Sequence, residues 1–314
     1  MNETALSLWN DTPLKKTILD FVRGVSDATA NTFVPPRERV AVFDNDGTLW
    51  VEKPRYVQLE FILRHLHRNP DKHEAAHHHF YQKLLGGAGD ALDQLSDAYS
   101  AYGLQGVRDL AGAFGDFFAH QTQNEYFERV QDFFAHAQHP VLQRPYTKCF
   151  YAPMVELVRL LRANEFRVFV VTGGSRDFVR FVCEDLYDIP RENIIGSSMD
   201  LEYKHTARGP QVVRGATPDL PIDDHSGKPV YIEKHIGRKP IFAVGNSDGD
   251  IQMLEYTSSN PYPSLELVLH HDDAAREFAY DHHAKQVMAL AEKNHWHMIS
   301  MARDFVSVFP DASK

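Results

Sequence analysis

The sequence predicts an α/β protein with a parallel central sheet and an inserted helical domain. Short, wholly apolar runs recur along the chain, for example at residues 40–43 and 168–171. Runs of this kind suit strands that are buried on both faces of a parallel sheet. Stretches with apolar residues at helical spacing lie between them. A long polar block, residues 52–148, interrupts the alternation.

The predicted elements follow one another in regular order. Thr12 is a good N-cap and Pro13 a good first helical residue, and an amphipathic stripe follows them. Further helices are predicted around residues 154–161 and 178–186, after residue 229 and from residue 251, and further strands at residues 194–195, 241–244 and 265–269. Strands that alternate with helices imply parallel pairing and right-handed crossovers.

The polar block is best explained as a domain inserted into the core. We therefore expect a core domain built from residues 1–51 and 149–314, and a helical cap domain from residues 52–148. A small hairpin at residues 198–227 is predicted within the core. Three consecutive histidines at residues 77–79 of the cap would spread over about 200° of a helix surface, so a solvated surface is favoured over a metal site.

Composition excludes several classes of function. The net charge of −10 and the scattered basic residues argue against a nucleic-acid surface. No apolar run has the length of a membrane span, and two cysteines, Cys149 and Cys183, exclude a disulfide framework. No signal peptide is visible at the N-terminus, so we expect a cytoplasmic location, with export of a processed form left open. The sequence does not predict the oligomeric state.

Three polar segments follow three predicted strands. They comprise residues 44–48, 172–175 and 245–250, and each contains glycine. In open α/β sheets, ligands bind outside the carboxyl ends of the strands. The three segments are therefore expected to converge on one cleft.

The first segment carries two carboxylates that suit phosphoryl chemistry. Asp44 and Asp46 are two residues apart, so they point roughly the same way and would repel unless a metal or a proton neutralises one. Mg²⁺ prefers oxygen ligands, which Asp44 and a donor from the third segment would supply. Asp44 could attack phosphorus as a nucleophile, and Asp46 could act as general acid and base.

The other segments supply groups for the phosphate. Gly173 and Gly174 are predicted to open a helix and to offer backbone N–H groups. Thr172 adds a hydroxyl donor. Lys228, at the start of a helix, is the predicted cation that balances the nucleophile and the phosphoryl oxygens, and Lys234 in the same helix is the alternative.

Together these motifs resemble the haloacid dehalogenase (HAD) superfamily over residues 40–250. The resemblance lies in the segment Asp-x-Asp-Gly-Thr after a strand, a strand ending in Thr172, a lysine at Lys228, and an acidic loop after a further strand. It implies a Rossmann-like three-layer core, Mg²⁺ as cofactor, Asp44 as nucleophile, and Asp46 as acid/base and backbone-carbonyl metal ligand. The Thr-Gly-Gly segment and the helical insert are similar to the phosphoserine phosphatase-like branch with a C1-type cap.

The acidic loop departs from the pattern of the superfamily. Many relatives have an aspartate where Asn246 stands. The predicted metal ligands are Asp44, Asp46, Asn246 and Asp250, and Asp248 is a further possibility in this loop. An asparagine coordinates through its side-chain oxygen but adds no charge, so the assignment within the loop stays open between these residues.

These residues predict a phosphatase that acts on a small phosphorylated metabolite. The predicted substrate contacts are Asn45, Thr48, Gly173, Gly174, Arg176, Trp50 and Glu52. For the last three, packing or a surface position is an equally ordinary interpretation. Phosphotransfer, dehalogenation through the same aspartyl ester, and a catalytically silent binding module are the alternatives. Dehalogenases attack carbon and need no second acid, so Asp46 favours phosphorus. For the segment 270–272, His-His-Asp, a structural role is favoured.

Overall fold

Strands and helices alternate along the chain in the computed structural model, which describes residues 6–68, 119–219 and 222–310. The strands are β1 (Val40–Phe43), β2 (Arg167–Ser175), β3 (Ile194–Ser197), β4 (Met199–Thr206), β5 (Gly209–Pro218), β6 (Phe242–Gly245), β7 (Leu265–Asp272), β8 (Ala279–Tyr280) and β9 (His297–Ser300). The helices in these ranges are α1 (Pro13–Ser26), α2 (Val57–Arg68), α3 (Gln123–His136), α4 (Ala152–Ala163), α5 (Arg176–Tyr187), α6 (Gly227–Ile236), α7 (Ile251–Ser258), α8 (Lys285–Asn294) and α9 (Met301–Asp304).

The central sheet has the order β3-β2-β1-β6-β7-β8, and β9 pairs with β7. Strand β1 runs parallel to both β2 and β6, and β7 runs parallel to β6 and β9. The short β8 pairs with β7 in the antiparallel direction, and it is the only antiparallel strand among these pairings of the described residues. The predicted α/β class with a parallel central sheet is confirmed. Because β1, β2 and β6 are neighbours, their carboxyl ends meet at one edge.

Helix α1 forms as its sequence predicts. The hydroxyl of Thr12 accepts a hydrogen bond from the N–H of Lys15 at 3.4 Å, and Pro13 is the first helical residue. The buried stripe consists of Leu14, Ile18, Val22 and Val25. Among the described residues, no helix is both long enough and apolar enough to cross a membrane.

The core lies on the faces of the sheet, where apolar side chains of strands and helices pack. Val42 of β1, Val171 of β2 and Val268 of β7 are fully buried and belong to one cluster with Ile232 of α6 and Leu254 of α7. Each such side chain contributes about 1.5–3 kcal/mol by leaving water. This packing holds rigid the strand ends that carry the polar segments.

The chain divides into two compact units. The first consists of Met1–Lys53, Gln138–Gly196 and Asp223–Lys314, and the second of Pro54–Ala137 and Ser197–Ile222. The hairpin β4–β5 lies in the second unit, whereas the sequence predicts the hairpin at residues 198–227 within the core. The reason is local packing: Thr122 forms a bridge with Val213, and the Arg214 guanidinium lies 4.2 Å from the ring centroid of Tyr126.

Several features lie outside what the sequence predicted or what the structure describes. Strands β8 and β9 and helices α8 and α9 were not predicted, because their segments are short and mixed in polarity. Residues 69–118 of the predicted cap, including the three histidines at residues 77–79, lie outside the described residues.

Candidate active site

Lys228 connects the polar segments in the first unit. Its ammonium group donates to Asp44 Oδ1 at 2.6 Å, to Asp250 Oδ1 at 2.6 Å and to the carbonyl of Val171 at 3.1 Å. The side chain is 2% exposed. The alternative cation, Lys234, lies instead over the ring of Tyr231, 5.0 Å from its centroid. Lys228 is therefore the cation that reaches Asp44.

The environment of Asp44 combines burial with several charges. Burial raises the pKa of Asp44 well above its usual value, the Lys228 ammonium opposes this, and the nearby Asp250 and Asp46 carboxylates raise the pKa further. One ammonium thus faces three carboxylates in a buried site. Such a surplus of negative charge is relieved by a bound proton or by a cation.

Asp46 has a different set of partners. The pKa of Asp46 is raised to about 6, mainly by burial. The hydrogen bond from Trp50 lowers this pKa, and the negative charge of Glu52 raises it. The indole Nε1–H of Trp50 donates to Asp46 Oδ1 at 2.8 Å. A pKa near 6 lets Asp46 exchange a proton near neutral pH, as an acid/base catalyst requires.

Trp50 itself is enclosed by aromatic rings. It is 1% exposed and packs edge-on against Phe178 and Tyr187. The sequence predicts a substrate contact or a packing position for this residue. In the structure its indole N–H also holds the Asp46 carboxylate in place.

The backbone after β1 turns tightly. The carbonyl of Asn45 accepts hydrogen bonds from the N–H groups of residues 48–50 at 2.8–3.2 Å. Gly47 has φ +70, and a Cβ there would lie 2.2 Å from Asn246 Nδ2 and 2.8 Å from Glu52 Cδ. Only glycine fits this position, so the first and third segments touch at Gly47.

Tyr187 is a contact of the site that sequence reasoning missed. Its hydroxyl donates to Asn45 Oδ1 at 3.1 Å, and the residue is fully buried. It is the last residue of α5, directly after the predicted apolar stripe. An aromatic residue at a helix end ordinarily indicates packing, so the sequence offers no specific signal for this contact.

The carboxylates of the acidic loop are occupied by hydrogen-bond donors. Asp250 Oδ2 accepts from the N–H groups of Asn246 at 2.9 Å and Ser247 at 3.0 Å, while Oδ1 accepts from Lys228. Asp250 thus shapes the loop and orients Lys228, and its predicted role as a metal ligand stays a prediction.

The other two candidates of this loop differ from each other. Asp248 Oδ1 accepts from the N–H of Val287 at 2.8 Å, in the first turn of α8. Asn246 Oδ1 accepts from the hydroxyl of Thr48 at 3.0 Å, and its amide Nδ2 donates to Glu52 at 3.2 Å. An amide oxygen has two lone pairs, so Asn246 can accept this bond and still coordinate a cation.

The helix after the predicted phosphate segment begins later than expected. Strand β2 continues through Gly173 and Gly174 to Ser175, and α5 begins at Arg176. The two glycines therefore do not open the helix, because the backbone stays extended until Ser175, which has φ −70 and ψ 120. The hydroxyl of Thr172 accepts from the N–H of Gly174 at 3.0 Å, which leaves its own proton to donate.

Arg176 makes a local contact. Its Nε donates to the buried carboxylate of Asp177 at 3.3 Å. The structure thus accounts for this side chain without a substrate, and its predicted substrate contact stays a prediction.

The donors at this edge are the kind that Mg²⁺ prefers. No group of three or more His, Cys, Asp and Glu side chains within residues 6–68, 119–219 and 222–310 is arranged to hold a metal ion. The oxygens of this edge that could hold a cation are the Asp44 carboxylate, the Asp46 carbonyl and Asn246 Oδ1. Such a set, beside a surplus of negative charge, fits a hard divalent cation.

Comparisons with known proteins agree with this architecture. The sequence model of the haloacid dehalogenase-like hydrolase family matches residues 41–255. No curated protein matches the chain.

Solved structures with a similar fold include proteins of unknown function. One from Anaerococcus prevotii DSM 20548 is 17% identical, with a TM-score of 0.56 and coverage of 96% of this chain and 94% of its own. One from Bordetella pertussis Tohama I is 14% identical, with a TM-score of 0.51 and coverage of 83% and 98%. A phosphoserine phosphohydrolase-like protein from Francisella tularensis subsp. tularensis SCHU S4 is 17% identical, with a TM-score of 0.47 and coverage of 85% and 95%.

Proposed function

The chain belongs to the haloacid dehalogenase-like hydrolases, and we propose that it is a Mg²⁺-dependent phosphatase that forms an aspartyl-phosphate on Asp44. One observation carries the proposal: two carboxylates leave the same strand but have different partners. Asp44 is bound to the Lys228 ammonium, and Asp46 has a pKa of about 6. This is the division between a nucleophile and an acid/base catalyst that the reaction needs.

The first half of the reaction transfers the phosphoryl group. A carboxylate oxygen of Asp44 attacks phosphorus, and the bond from phosphorus to the leaving oxygen breaks. Asp46 in its acid form donates a proton to that oxygen, so the leaving group departs as an alcohol. Lys228 offsets the negative charge of Asp44 and of the phosphoryl oxygens.

The second half returns the enzyme to its starting state. Asp46, now a carboxylate, takes a proton from water, and the water oxygen attacks phosphorus. The phosphorus bond to Asp44 breaks, inorganic phosphate leaves, and Asp46 again holds a proton. The hydroxyl of Thr172 and the N–H of Gly173 are the proposed donors to the phosphoryl group, and the segment from Asn45 to Thr48 surrounds it.

Magnesium would be held by oxygens from the first and third polar segments. The proposed ligands are the Asp44 carboxylate, the backbone carbonyl of Asp46 and the side-chain oxygen of Asn246. When bound, the ion supplies positive charge to the phosphoryl oxygens. The substrate we propose is a small phosphorylated metabolite, in line with the phosphoserine phosphatase-like motif order.

Hydrolysis of p-nitrophenyl phosphate tests this function. We expect phosphate release that depends on Mg²⁺ and is abolished by EDTA and by Asp44→Asn. A panel of phosphorylated metabolites would then identify the preferred class. Halide release from a haloacid, or phosphoryl transfer to an added alcohol in place of water, would instead support the alternatives, and a folded wild-type protein with none of these activities would contradict the proposal.

A further inference from the structure

A buried histidine contacts the loop that carries the two catalytic aspartates. His271, in β7, is 3% exposed. Its Nε2 lies 2.8 Å from the carbonyl oxygen of Gly47. A carbonyl oxygen can only accept a hydrogen bond, so Nε2 carries a proton and donates a hydrogen bond to the carbonyl of Gly47.

The other side of the imidazole ring is held by Glu277. The Nδ1 atom of His271 lies 3.2 Å from Glu277 Oε2. This carboxylate also accepts from the N–H of Phe278 at 2.7 Å and from the hydroxyl of Tyr151 at 3.0 Å. Burial raises the pKa of Tyr151 well above its usual value, so the hydroxyl keeps its proton and acts as the donor. One proton must lie between Nδ1 and Oε2, because a bare nitrogen and an ionised carboxylate both only accept.

Packing also restricts the rotation of the ring. The ring of Tyr280 in β8 stacks on His271, with centroids 4.3 Å apart and an interplanar angle of 19°. Tyr151 packs against another part of the ring, with centroids 5.8 Å apart. The orientation of the Nε2–H bond is therefore fixed by three neighbouring elements: β8, the segment before β8, and the start of α4.

Gly47 is the residue of this loop with the greatest backbone freedom. Its own N–H donates to the carbonyl of Trp50 at 2.8 Å, and the N–H of Thr48 donates to the carbonyl of Asn45 at 3.2 Å. Peptide groups are planar, so these bonds and the contact with His271 fix the peptides on both sides of Gly47. The peptide before Gly47 contains the carbonyl of Asp46.

We propose that His271 is a positioning residue that fixes the nucleophile loop, residues 44–50, through the carbonyl of Gly47, with Glu277 orienting its ring. The proposal rests on the proposed phosphatase function for its effect on turnover. Without the Nε2–H donor, the Gly47 carbonyl is buried without this partner, and the peptide between Gly47 and Thr48 can rotate about the glycine. Such a rotation would shift the preceding peptide, and the carbonyl and carboxylate of Asp46 would then leave the geometry needed for holding a cation and for proton transfer.

Two uncharged substitutions test whether His271 acts through its hydrogen bond to Gly47 or only fills space in the core. In His271→Gln, the amide nitrogen reaches the place of Nε2 and can donate to Gly47. In His271→Asn, the amide nitrogen lies near the place of Nδ1 and faces Glu277 instead. With p-nitrophenyl phosphate, we expect His271→Asn to lower kcat by about 10-fold or more with a smaller change in KM, because small misplacements of reacting groups are costly. His271→Gln should retain kcat within about 3-fold.

A further variant serves as the control. His270→Asn changes the preceding residue of the same strand, which the mechanism does not use, and should leave both kinetic constants unchanged. If His271→Asn does not fold, a large loss of kcat in folded His271→Gln, which keeps a donor to Gly47, would still contradict the proposal.

Nitrogen-15 NMR of the imidazole gives a readout that does not depend on turnover. In the wild-type protein we expect a slowly exchanging proton on Nε2 of His271, and its signal should be absent from His271→Gln. An unprotonated Nε2, or equal kcat in wild type and folded His271→Asn, would overturn the proposal. If wild-type protein shows no phosphatase activity but the Nε2 proton is present, the proposed function fails while the contact with Gly47 stands.

Discussion

The nucleophile loop, residues 44–50, and the acidic loop, residues 245–250, follow neighbouring parallel strands and are both rich in aspartate. Their carboxylates nevertheless differ in their partners. In the acidic loop, Asp250 accepts from two backbone N–H groups and Lys228, and Asp248 accepts from the N–H of Val287. In the nucleophile loop, Asp44 accepts from the ammonium of Lys228, and Asp46 accepts from the side chains of Trp50 and Asn45.

The difference shows how neighbours divide one residue type into two roles. Backbone N–H groups hold the carboxylates of the acidic loop in place, so that these carboxylates shape the loop. The carboxylates of the nucleophile loop contact side-chain donors instead, and burial raises the pKa of both Asp44 and Asp46. Removing an aspartate should therefore affect turnover most in the first loop and stability most in the second.

The largest effect is expected for Asp44→Asn. The amide is similar in size and can still contact Lys228 through its oxygen, so the fold should persist. An amide is a poor nucleophile, and kcat should fall by at least about 10³-fold. Circular dichroism and steady-state kinetics on the same sample measure both quantities. Near-normal kcat in a folded variant would contradict the assignment of the nucleophile.

The acidic loop offers a matched pair of variants. Asp250→Asn would place an amide N–H beside either the Lys228 ammonium or the two backbone donors, and should cost roughly 2–5 kcal/mol of unfolding free energy. Asp248→Asn keeps an oxygen for the N–H of Val287 and should stay within about 0.5 kcal/mol. Denaturant unfolding measures both. An equal loss of unfolding free energy in the two variants would show that Asp250 does not stabilise its loop more than Asp248 does.

The metal assignment predicts a smaller and more specific change. Asn246→Ala removes a proposed oxygen ligand and should raise the Mg²⁺ concentration for half-maximal activity, whereas Asn246→Asp should keep or lower it because charge favours a hard cation. Asp248→Ala is the control and should leave the requirement unchanged. Mg²⁺ titration of turnover decides between them, and the reverse result for Asn246→Ala and Asp248→Ala would transfer the ligand to Asp248.

The smallest effect is a shift in pH dependence. The hydrogen bond from Trp50 lowers the pKa of Asp46, which is about 6. Trp50→Phe removes that donor, so the pKa rises and the protonated form persists to higher pH. Steps that use Asp46 as a base should then begin at higher pH, and the acidic limb of the kcat profile should move upward. A limb that moves to lower pH would show that Trp50 does not act on Asp46 in this way.

Much of the fold could be predicted from the sequence, because buried parallel strands have a distinctive pattern. The run at residues 40–43 is apolar throughout and forms β1 with the same bounds. By contrast, β8 has two residues and carries no pattern of its own. The hairpin β4–β5 was recognised, but its place in the second unit depends on contacts of Thr122 and Arg214 that no local pattern contains.

The candidate site divides in the same way. Asp44, Asp46 and Lys228 follow from their positions at the ends of elements, and the structure brings them together. The contacts of Tyr187 with Asn45 and of His271 with Gly47 could not be predicted, because the two residues of each pair lie far apart in the sequence. The separations are 142 and 224 positions. In a sequence alone, such aromatic residues resemble ordinary packing residues.

Detection of the phosphorylated residue tests the central claim most directly. Asp46→Asn removes the proposed base, which hydrolysis of the phosphorylated enzyme needs. p-Nitrophenyl phosphate has a good leaving group that departs without an acid, so incubation with this ester and Mg²⁺ should let the phosphorylated enzyme accumulate. Peptide mass spectrometry after acid quenching should then find one phosphoryl group on Asp44, and none in the double variant with Asp44→Asn. A phosphoryl group on another residue, or turnover by the wild-type enzyme without any phosphorylated protein, would contradict the account.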